Sequence, residues 1–427
     1  MDQIEEVLKE NDHKRLGREL DLFTFSDTVG KGLPLWTPKG STIRRIIERW
    51  VVDEEIKDGY AHVYTPDLAK LELYEKSGHY PYYQDSMYAP IEIDDEKYML
   101  RPMTCPHHFE LYLRHPHSYK ELPIRYAELA KLYRYEQSGE LMGLQRVRSF
   151  CLADAHIIAR RDQAHAEINR VLDLIERLTA ALGLKPYVDD DNKGDYYYRL
   201  SLGDRNNEKK YFKDDAAWDE AEQVLREVLT ERSNAKKVRV DTRENEAAFY
   251  GPKIDIQMWN VNGKEDTAFT VQYDFVMPKR FKLTFINEQG EEEQPIVIHR
   301  SSVGAIERII AFLIEKYGGK FPLWLAPIQV LVVPIADRHQ EHAQKIAQQL
   351  REANMRIEVD VRAESMQAKI RSATLQKIPY IAIIGDKEMN ASEPTVSVRK
   401  RDGSQESGVL LGTFISKIQS EIEAKIS

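Results

Sequence analysis

The sequence predicts an α+β protein in which a large domain, built on a mainly antiparallel sheet, precedes a small α/β domain. Two observations predict the large domain. Amphipathic helical segments alternate with short β-rich runs, and these runs are too many for a regular alternation of strand and helix. A third observation predicts the small domain, because after Gly318 and Gly319 the pattern changes to apolar strands separated by helices.

The large domain is predicted to cover residues 21–321, after a charged helix over residues 1–20 that leads into the fold. Its helices are predicted where apolar residues recur with helical spacing, over residues 42–55, 162–182 and 216–231. Its strands are predicted over residues 62–65, 253–259, 267–273 and 281–285.

The small domain is predicted to cover residues 322–427, with its boundary in the stretch between Pro322 and Pro327. It opens with a continuous apolar run over residues 328–335, which is typical of a strand buried on both faces. Further strands are predicted over residues 356–361, 380–384 and 395–401, and helices over residues 339–352, 366–376 and 414–426.

Composition and charge exclude several classes of protein. The net charge of −9 argues against a protein that coats nucleic acid non-specifically, because phosphate binding needs basic surface. No apolar run approaches the roughly 20 residues of a membrane-spanning helix. The acidic N-terminus has neither a secretory core nor a transit pattern. Two cysteines cannot form a disulfide framework. We therefore expect a cytoplasmic protein without a membrane partner.

A nucleotide site is indicated by arginines, since the sequence has neither a P-loop nor a GxGxxG motif after a strand. Two strands joined by a turn are predicted around residues 134–136 and 146–150. Arg134 and Glu136 are two residues apart, so both are expected on one face of the first strand. A guanidinium can clamp a phosphate while a carboxylate accepts from an adenine amino group. One such pair alone is more often a surface ion pair, but Arg308, in a helix after a strand-like run, is expected to point back at the same sheet.

A metal site is a second possibility. Cys105, His156 and His299 would supply one thiolate and two imidazoles, and three protein ligands leave the open position that catalytic zinc needs. The three residues are far apart in the sequence, and most of the 12 histidines are expected to be structural or on the surface. Two local sets remain open as alternatives: Cys105 with His107 and His108, or Cys151 with His156.

Together these residues resemble the threonyl-tRNA synthetases, a family of class IIa aminoacyl-tRNA synthetases, over almost the whole chain. The stretch around residues 134–136 is similar to class II motif 2, and the stretch ending at Arg308 to motif 3. Residues 63–79 are similar to motif 1, the dimer-forming element, and the segment after it. Four strings are specific to the family: RPMTCP at 101–106, DAH at 154–156, FYGPK at 249–253 and VIHR at 297–300.

The resemblance implies the class II antiparallel sheet with flanking helices, followed by a small α/β anticodon-binding domain. It implies a homodimer that uses ATP with Mg²⁺, L-threonine and threonine tRNA, and one zinc ion per chain held by Cys105, His156 and His299. It implies contacts to ATP at Arg134, Glu136, Arg146, Phe150, Gln272 and Arg308, and to threonine at Met103, Asp154, Tyr250, Lys253 and Ser301. It implies catalytic roles for Arg134, Arg308 and His79, of which His79 would assist transfer, and anticodon contacts at Lys387, Glu388 and Arg399.

The sequence departs from the family in two respects. Leu152 and Ala153 stand where the family has glutamine and aspartate, and Ser301 stands where alanine is common. Leu152 removes a polar partner near the adenylate, which predicts weaker activity or a rearranged pocket. Members also carry N-terminal editing and ubiquitin-like domains, and neither fits before a catalytic domain that starts near Met1. Because one methyl group separates substrates by only ~10–200-fold, we expect detectable serine on threonine tRNA unless another protein removes it.

Three other functions compete with threonine–tRNA ligase. A catalytically weakened paralogue that binds tRNA or senses amino acids is favoured by Leu152 and disfavoured by the retention of Arg134 and Arg308. A zinc hydrolase needs a general base near the metal, and the sequence has no HExxH pattern. Another class IIa synthetase would lack the zinc ligands, so bound metal would separate the two.

Overall fold

The computed structural model describes residues 11–188 and 193–425. Its helices are α1 (His13–Glu19), α2 (Pro38–Lys57), α3 (Leu71–Ser77), α4 (His79–Tyr82), α5 (Cys105–Tyr112), α6 (Ala164–Ala181), α7 (Asp215–Lys236), α8 (Met277–Phe281), α9 (Ile306–Tyr317), α10 (Gln340–Glu352), α11 (Met366–Leu375), α12 (Asp386–Met389) and α13 (Leu411–Glu423).

The strands are β1 (Phe23–Thr24), β2 (Leu35–Trp36), β3 (Ala61–His62), β4 (Leu68–Lys70), β5 (Ile91–Ile93), β6 (Glu96–Leu100), β7 (Ile124–Tyr133), β8 (Ser149–Ala159), β9 (Tyr196–Ser201), β10 (Val240–Arg243), β11 (Lys253–Trp259), β12 (Glu265–Asp274), β13 (Phe285–Ile286), β14 (Glu292–Glu293), β15 (Ile296–Ala305), β16 (Val330–Pro334), β17 (Ile357–Val359), β18 (Tyr380–Ile384), β19 (Thr395–Lys400) and β20 (Gln405–Leu410).

The chain divides into two compact units. The large unit comprises Phe25–Pro34 and Glu48–Ala311, and the C-terminal unit comprises the other described residues. The boundaries predicted from the sequence, at residues 20/21 and 321/322, stay predictions. Residues 1–10 of the predicted leading helix lie outside the described residues, and α1 covers part of the remainder.

The large unit is built on an eight-stranded sheet with the order β10-β9-β11-β12-β15-β8-β7-β3. Its neighbours pair antiparallel except at the two edges, where β10 pairs with β9 and β3 with β7 in parallel. The prediction of an α+β domain on a mainly antiparallel sheet is therefore confirmed. Two small antiparallel sheets, β4-β6-β5 and β13-β14, complete the strands of this unit.

Helix α6 shows why the sheet is covered on one face. Its buried side chains recur every three or four residues, at Ile168, Val171, Leu172, Ile175 and Leu178. This spacing gives one apolar stripe along a helix. The stripe packs against β12 and β15, and so it leaves the opposite face of these strands to polar side chains.

The C-terminal unit contains the five-stranded sheet β17-β16-β18-β19-β20, with parallel pairs around β16 and antiparallel pairs beyond β18. Every residue of β16 is buried, as the apolar run predicted. The predicted strand and helix order is confirmed, although residue 426 of the last predicted helix lies outside the described residues. The core of this unit includes Val332, Ile346, Leu350 and Phe414.

Three predicted strands are wrong. Of residues 62–65, only His62 lies in a strand, because β3 ends there. Of residues 281–285, only Phe285 lies in a strand, because Met277–Phe281 is a helix with Pro278 in its first turn, capped by Lys282 at a φ of 57°. Arg134 and Glu136 also lie outside a strand. The N–H of Arg134 still bonds the carbonyl of Arg148, but the N–H of Glu136 turns back to the carbonyl of Arg134, which ends the pairing after β7.

Among the described residues, the helices are either too short or too polar to span a lipid bilayer.

Candidate functional site

A pocket of about 550 Å³ opens on one face of the eight-stranded sheet. It is lined by all the residues predicted to bind metal, ATP or threonine, namely Met103, Cys105, Arg134, Glu136, Arg146, Phe150, Asp154, His156, Tyr250, Lys253, Gln272, His299, Ser301 and Arg308. His79 is outside this lining, and the three predicted anticodon residues belong to the C-terminal unit.

The register of neighbouring strands explains why these side chains meet in one pocket. Side chains two residues apart share a face, so Leu152, Asp154 and His156 of β8 all point to the pocket. On β15, His299 lies opposite His156 and Ser301 lies opposite Asp154. One strand further, Gln272 of β12 lies opposite His299, and Lys253 of β11 lies opposite Gln272. The pocket floor is thus one face of four adjacent strands.

Three possible metal ligands meet at this floor. Donor atoms of Cys105, His156 and His299 all lie within 4.8 Å of one another, and all three residues are buried. Cys105 opens helix α5, while the two histidines are cross-strand neighbours with ring centroids 4.6 Å apart. One thiol and two imidazoles are a donor set that suits zinc, so these residues fit the metal that the resemblance implies.

Each histidine uses one ring nitrogen for a protein contact. Nε2 of His299 is 2.7 Å from Oδ2 of Asp274. The other oxygen of Asp274 accepts from the backbone N–H groups of Val276 and Met277, which keeps this carboxylate in place. Nδ1 of His156 is 2.8 Å from Nδ1 of His108. Nδ1 of His299 and Nε2 of His156 are therefore the nitrogens left for a metal.

Burial sets the protonation of the ligands when no cation is bound. It lowers the pKa of His156 well below its usual value, and the neighbouring His299 and His108 lower it further. Burial raises the pKa of the Cys105 thiol, and the charges of Asp154 and Asp274 add to that effect. A divalent cation favours the thiolate strongly, because it is the largest charge in such a site.

Asp154 lies two residues before His156 on the same face and is 9% exposed. Burial raises the pKa of this carboxyl group, while His108, His299 and the Thr104 hydroxyl oppose the rise. A carboxylate this deep favours a hydrogen-bond donor from a bound molecule. Asp154 is therefore placed to recognise a hydroxyl or amino group beside the metal ligands.

The arginines form a second cluster in the lining of the pocket. Nε of Arg308 donates to the carbonyl of Gln145 at 3.1 Å, and the guanidinium of Arg134 lies 5.2 Å from the Phe150 ring. Within the described residues, neither Arg134 nor Arg308 forms an ion pair with a carboxylate. Burial lowers the pKa of Arg308, Asp266 opposes this, and the charges of Arg134 and Arg146 lower it further. Such mutually repelling cations are a favourable site for a polyanion.

Tyr250 links the two clusters. Its hydroxyl donates to Oε1 of Gln272, and its ring stacks on His299 with centroids 5.0 Å apart. Burial raises the pKa of Tyr250 well above its usual value, so the phenol stays protonated. Lys253 pairs with the buried Asp255 at 2.7 Å, which fixes its ammonium group at the edge of the pocket.

His79 lies behind the pocket wall. It is buried, its Nδ1 is 2.7 Å from the Ser77 hydroxyl, and its ring contacts Tyr83 and Phe249. Burial lowers the pKa of His79 to about 3, with help from the charges of His299, Arg134 and Arg280. The imidazole is therefore neutral at physiological pH.

The three residues predicted to face an anticodon differ in exposure. Lys387 is exposed and Arg399 is half-buried. Glu388 is buried, and its carboxylate accepts from the Gly385 N–H at 2.9 Å and from the Ser397 hydroxyl at 2.7 Å. It joins α12 to β19 within the C-terminal unit.

The local alternatives for a metal site do not form among the described residues. His107 and His108 are absent from the donor cluster, and Cys151 lies an odd number of residues before His156, on the other face of β8. Sequence reasoning missed Asp274 as the partner of His299. Asp274 lies one residue beyond the strand predicted over residues 267–273, so the sequence pattern did not place it beside His299. Of the residues that depart from the family pattern, Leu152 and Ser301 line the pocket, and Ala153 is buried away from it.

Comparisons with known proteins agree with this geometry. Residues 88–317 match the family model of the tRNA synthetase class II core domain (G, H, P, S and T), and residues 329–421 match the anticodon binding domain. Threonine--tRNA ligases of Anoxybacillus flavithermus and Geobacillus kaustophilus are 49% and 48% identical over 415 and 422 residues. These matches cover 97% and 98% of the chain and 62% of each relative, so the chain spans less than two thirds of their length.

Two solved structures share the fold across almost the whole chain. The RNA binding domain of threonyl-tRNA synthetase from Cryptosporidium parvum Iowa II superposes with a TM-score of 0.87 at 31% identity, covering 96% of this chain and 98% of that one. The putative threonyl-tRNA synthetase ThrRS-1 from Aeropyrum pernix superposes with a TM-score of 0.82 at 27% identity, covering 97% and 96%. The chain belongs to the threonyl-tRNA synthetase family of class II aminoacyl-tRNA synthetases.

Proposed function

We propose that the chain activates L-threonine with ATP to threonyl-adenylate and transfers the threonyl group to the 3′-terminal adenosine of threonine tRNA. One observation carries the proposal: a buried thiol–imidazole donor set and a cluster of arginines line the same pocket. The donor set is suited to a metal ion that a small chelating substrate can bind, and the arginines are suited to a triphosphate.

Cys105, His156 and His299 would hold a zinc ion. When bound, the ion would supply a Lewis acid that takes the amino and hydroxyl groups of threonine together. Asp154, on the same strand face as His156, accepts a hydrogen bond from the substrate hydroxyl. Valine has no hydroxyl and leaves this buried carboxylate unpaired, a difference that is worth ~10⁴-fold or more in similar sites.

Arg134, Arg146 and Arg308 bind the phosphates of ATP, which is accompanied by Mg²⁺, and Glu136 accepts from the adenine amino group. The threonine carboxylate attacks the α-phosphorus, the bond to the bridging oxygen of the β-phosphate breaks, and pyrophosphate leaves. The guanidinium groups stabilise the charge that develops on the leaving group, and the pocket holds the reacting atoms in line. Phe150, Tyr250 and Gln272 complete the walls around the adenylate.

In the transfer step the 3′-hydroxyl oxygen of the tRNA attacks the threonyl carbonyl carbon, the bond from this carbon to the phosphate oxygen breaks, and AMP leaves with the hydroxyl proton on its phosphate. A role for His79 in this step stays a prediction. Its low pKa makes the imidazole a weak base and its ring lies outside the pocket lining, so we infer that His79 acts through the pocket wall, where its ring contacts Tyr83, and not by taking up a proton.

Threonine tRNA and a second copy of the chain are the proposed partners. Lys387 and Arg399 offer cationic side chains to an anticodon, while Glu388 holds the loop between them. Exposed apolar side chains support the homodimer: Tyr64 is 93% exposed, and Leu68, Ile91 and Ile93 also reach the surface. Sedimentation of the purified chain tests the dimer directly.

A weakened paralogue is the second candidate, because Leu152 puts an apolar side chain on the pocket floor. Exchange of pyrophosphate into ATP, measured with threonine, serine and valine, separates the two. A ligase gives threonine-dependent exchange and contains one zinc ion per chain, whereas a sensor gives no exchange. Absence of exchange by a zinc-loaded protein would refute the proposed activity.

A further inference from the structure

We propose that His108, held by Glu128, is a positioning residue that fixes the tautomer of His156, so that the lone pair of Nε2 is available to a metal. The proposal rests on the metal site proposed above. In this proposal Nδ1 of His156 takes part in a series of hydrogen bonds that runs through His108 to Glu128. Both of these residues lie outside the pocket lining.

The chain of contacts is continuous and buried. Nδ1 of His156 lies 2.8 Å from Nδ1 of His108, and Nε2 of His108 lies 3.3 Å from Oε2 of Glu128. His108 is 0% exposed and Glu128 is 2% exposed, so water does not compete for these atoms. The two imidazole rings meet edge to face with centroids 4.8 Å apart.

Glu128 is an acceptor at the end of this chain. Its Oε1 accepts from Arg101 at 2.9 Å and from the Thr65 N–H at 3.2 Å, and its Oε2 accepts from the Thr65 hydroxyl at 2.7 Å. Arg101 is itself held by the carbonyls of Lys131 and Thr65. Three donors converge on the carboxylate in addition to His108, which is the environment of an ionised group.

The direction of every proton follows from that acceptor. An ionised carboxylate only accepts, so Nε2 of His108 carries a proton, and the imidazole with this single proton is the form that we propose orients His156. Nδ1 of His108 is then an acceptor, and the proton of His156 must be on Nδ1. The remaining nitrogen of His156, Nε2, carries an unshared electron pair, as a metal ligand requires. The protein thus sets the tautomer of His156 before a metal arrives.

His107 provides a matched control one residue away. It lies on the same helix turn, is 8% exposed, and neither ring nitrogen has a hydrogen-bond partner among the described residues. Its ring packs against Tyr74 instead. Replacing His107 therefore disturbs the packing of α5 to a similar extent without changing the hydrogen bonds of His156.

The experiment measures zinc affinity by competition with a chromogenic chelator, using the apo form of the full chain. The variants are His108→Phe, His108→Asn and His107→Phe. Loss of an outer partner of a metal ligand typically costs ~10–100-fold in affinity, and we expect a loss of that size for His108→Phe. The asparagine side chain of His108→Asn keeps an acceptor oxygen near Nδ1 of His156, so this variant should retain most of the affinity. His107→Phe should bind zinc like the unmodified chain.

A second readout keeps the test independent of catalysis. Co²⁺ bound to the apo chain reports thiolate ligation through its charge-transfer absorption, and His108→Phe should shift the Co²⁺ titration to higher concentration while His107→Phe does not. If the Phe ring prevents folding, His108→Leu removes the same acceptor with a smaller side chain.

The outcomes separate this inference from the proposed function. Equal zinc affinity for His108→Phe and the unmodified chain would overturn the inference alone, as would an equal loss in His107→Phe. An equal loss in His108→Asn and His108→Phe would also overturn it, because the acceptor would then be irrelevant. Failure of the unmodified chain to bind either cation would overturn the proposed metal site and this inference together.

Discussion

His299 and Asp274 lie on neighbouring strands, and Nε2 of the imidazole is 2.7 Å from a carboxylate oxygen of a side chain that two backbone N–H groups hold in place. The contact fixes the ring of His299 with its other nitrogen free. His156, directly across on β8, is held by an imidazole instead of a carboxylate. The two possible metal ligands are thus orientated by different chemistry on opposite sides of one site.

Removing the thiol should abolish metal retention. In Cys105→Ala only two imidazoles remain, and the loss in zinc affinity should exceed the roughly 10–100-fold typical of an outer partner. Chelator competition measures it, and threonine-dependent pyrophosphate exchange should fall with it. Cys151→Ala is the control, because Cys151 lies on the other face of β8. Full zinc content in Cys105→Ala would contradict the assignment.

Arg308 should contribute to ATP binding through its charge and its planar shape. Hydrogen bonds to charged groups are worth ~1.5–3 kcal/mol, so Arg308→Ala should lower kcat/KM for ATP in pyrophosphate exchange by about 10–150-fold. Arg308→Lys keeps the charge without the two-pronged contact, and its kcat/KM should lie between those of Arg308→Ala and the unmodified chain. Arg226→Gln, at an exposed position of α7, is the control. An Arg308→Ala chain with unchanged kcat/KM would argue against the phosphate site.

The effect of His79 on transfer should not depend on pH near neutrality. Because burial lowers its pKa from 6.5 to about 3, the imidazole stays neutral across this range. The ratio of single-turnover transfer rates for the unmodified chain and His79→Ala should therefore be constant between roughly pH 6 and pH 8. A ratio that changes near the ordinary pKa of histidine would show that His79 titrates normally and that it takes up a proton in the reaction.

Leu152 should limit the affinity for the adenylate. A glutamine at this position would restore a polar side chain to the pocket floor, and a typical hydrogen bond adds ~0.5–1.5 kcal/mol. Leu152→Gln should therefore improve kcat/KM for threonine in the exchange assay by about 2–10-fold. Ala153→Ser, on the other face of the strand, should bring no gain. A loss of activity in Leu152→Gln would mean that the pocket has adapted to leucine.

Glu128 should make the stability of the large unit depend on pH. Burial alone would raise its pKa, but hydrogen bonds from His108 and Thr65 and the charge of Arg101 lower it from 4.5 to about 2. A lowered pKa stabilises the folded state above pH 4.5, and this stabilisation is lost progressively as the pH falls toward 2. The free energy of unfolding, measured with urea from about pH 6 down to about pH 4, should fall more steeply for the unmodified chain than for Glu128→Gln. If the free energy of unfolding fell equally with pH in the unmodified chain and in Glu128→Gln, this role of Glu128 would be contradicted.

Much of the architecture could be predicted from local patterns. Residues 253–259 form β11 as expected, and the apolar run after residue 328 forms the buried strand β16. The error at residues 281–285 has a local cause: Pro278 favours a helix start, and Lys282 ends that helix in a left-handed conformation. An apolar run this short does not distinguish a helix from a strand.

The site was less accessible to sequence reasoning. Cys105, His156 and His299 are far apart in the chain, so spacing alone could not select them, and the resemblance to a family did. The roles of His108 and Asp274 depend on strand register and on the orientation of rings, which no pattern of residue types specifies. The sequence also did not predict where β7 ends and β8 begins, because the turn at Glu136 is made by backbone hydrogen bonds.

The cross-strand pairing of His156 with His299 couples metal binding to local opening of the sheet. Because one proposed ligand comes from β8 and the other from β15, a local separation of these two strands would split the donor set and release a bound cation. The rate at which a zinc-loaded chain loses its metal should therefore report how often the centre of the sheet opens, and it can be measured without any substrate.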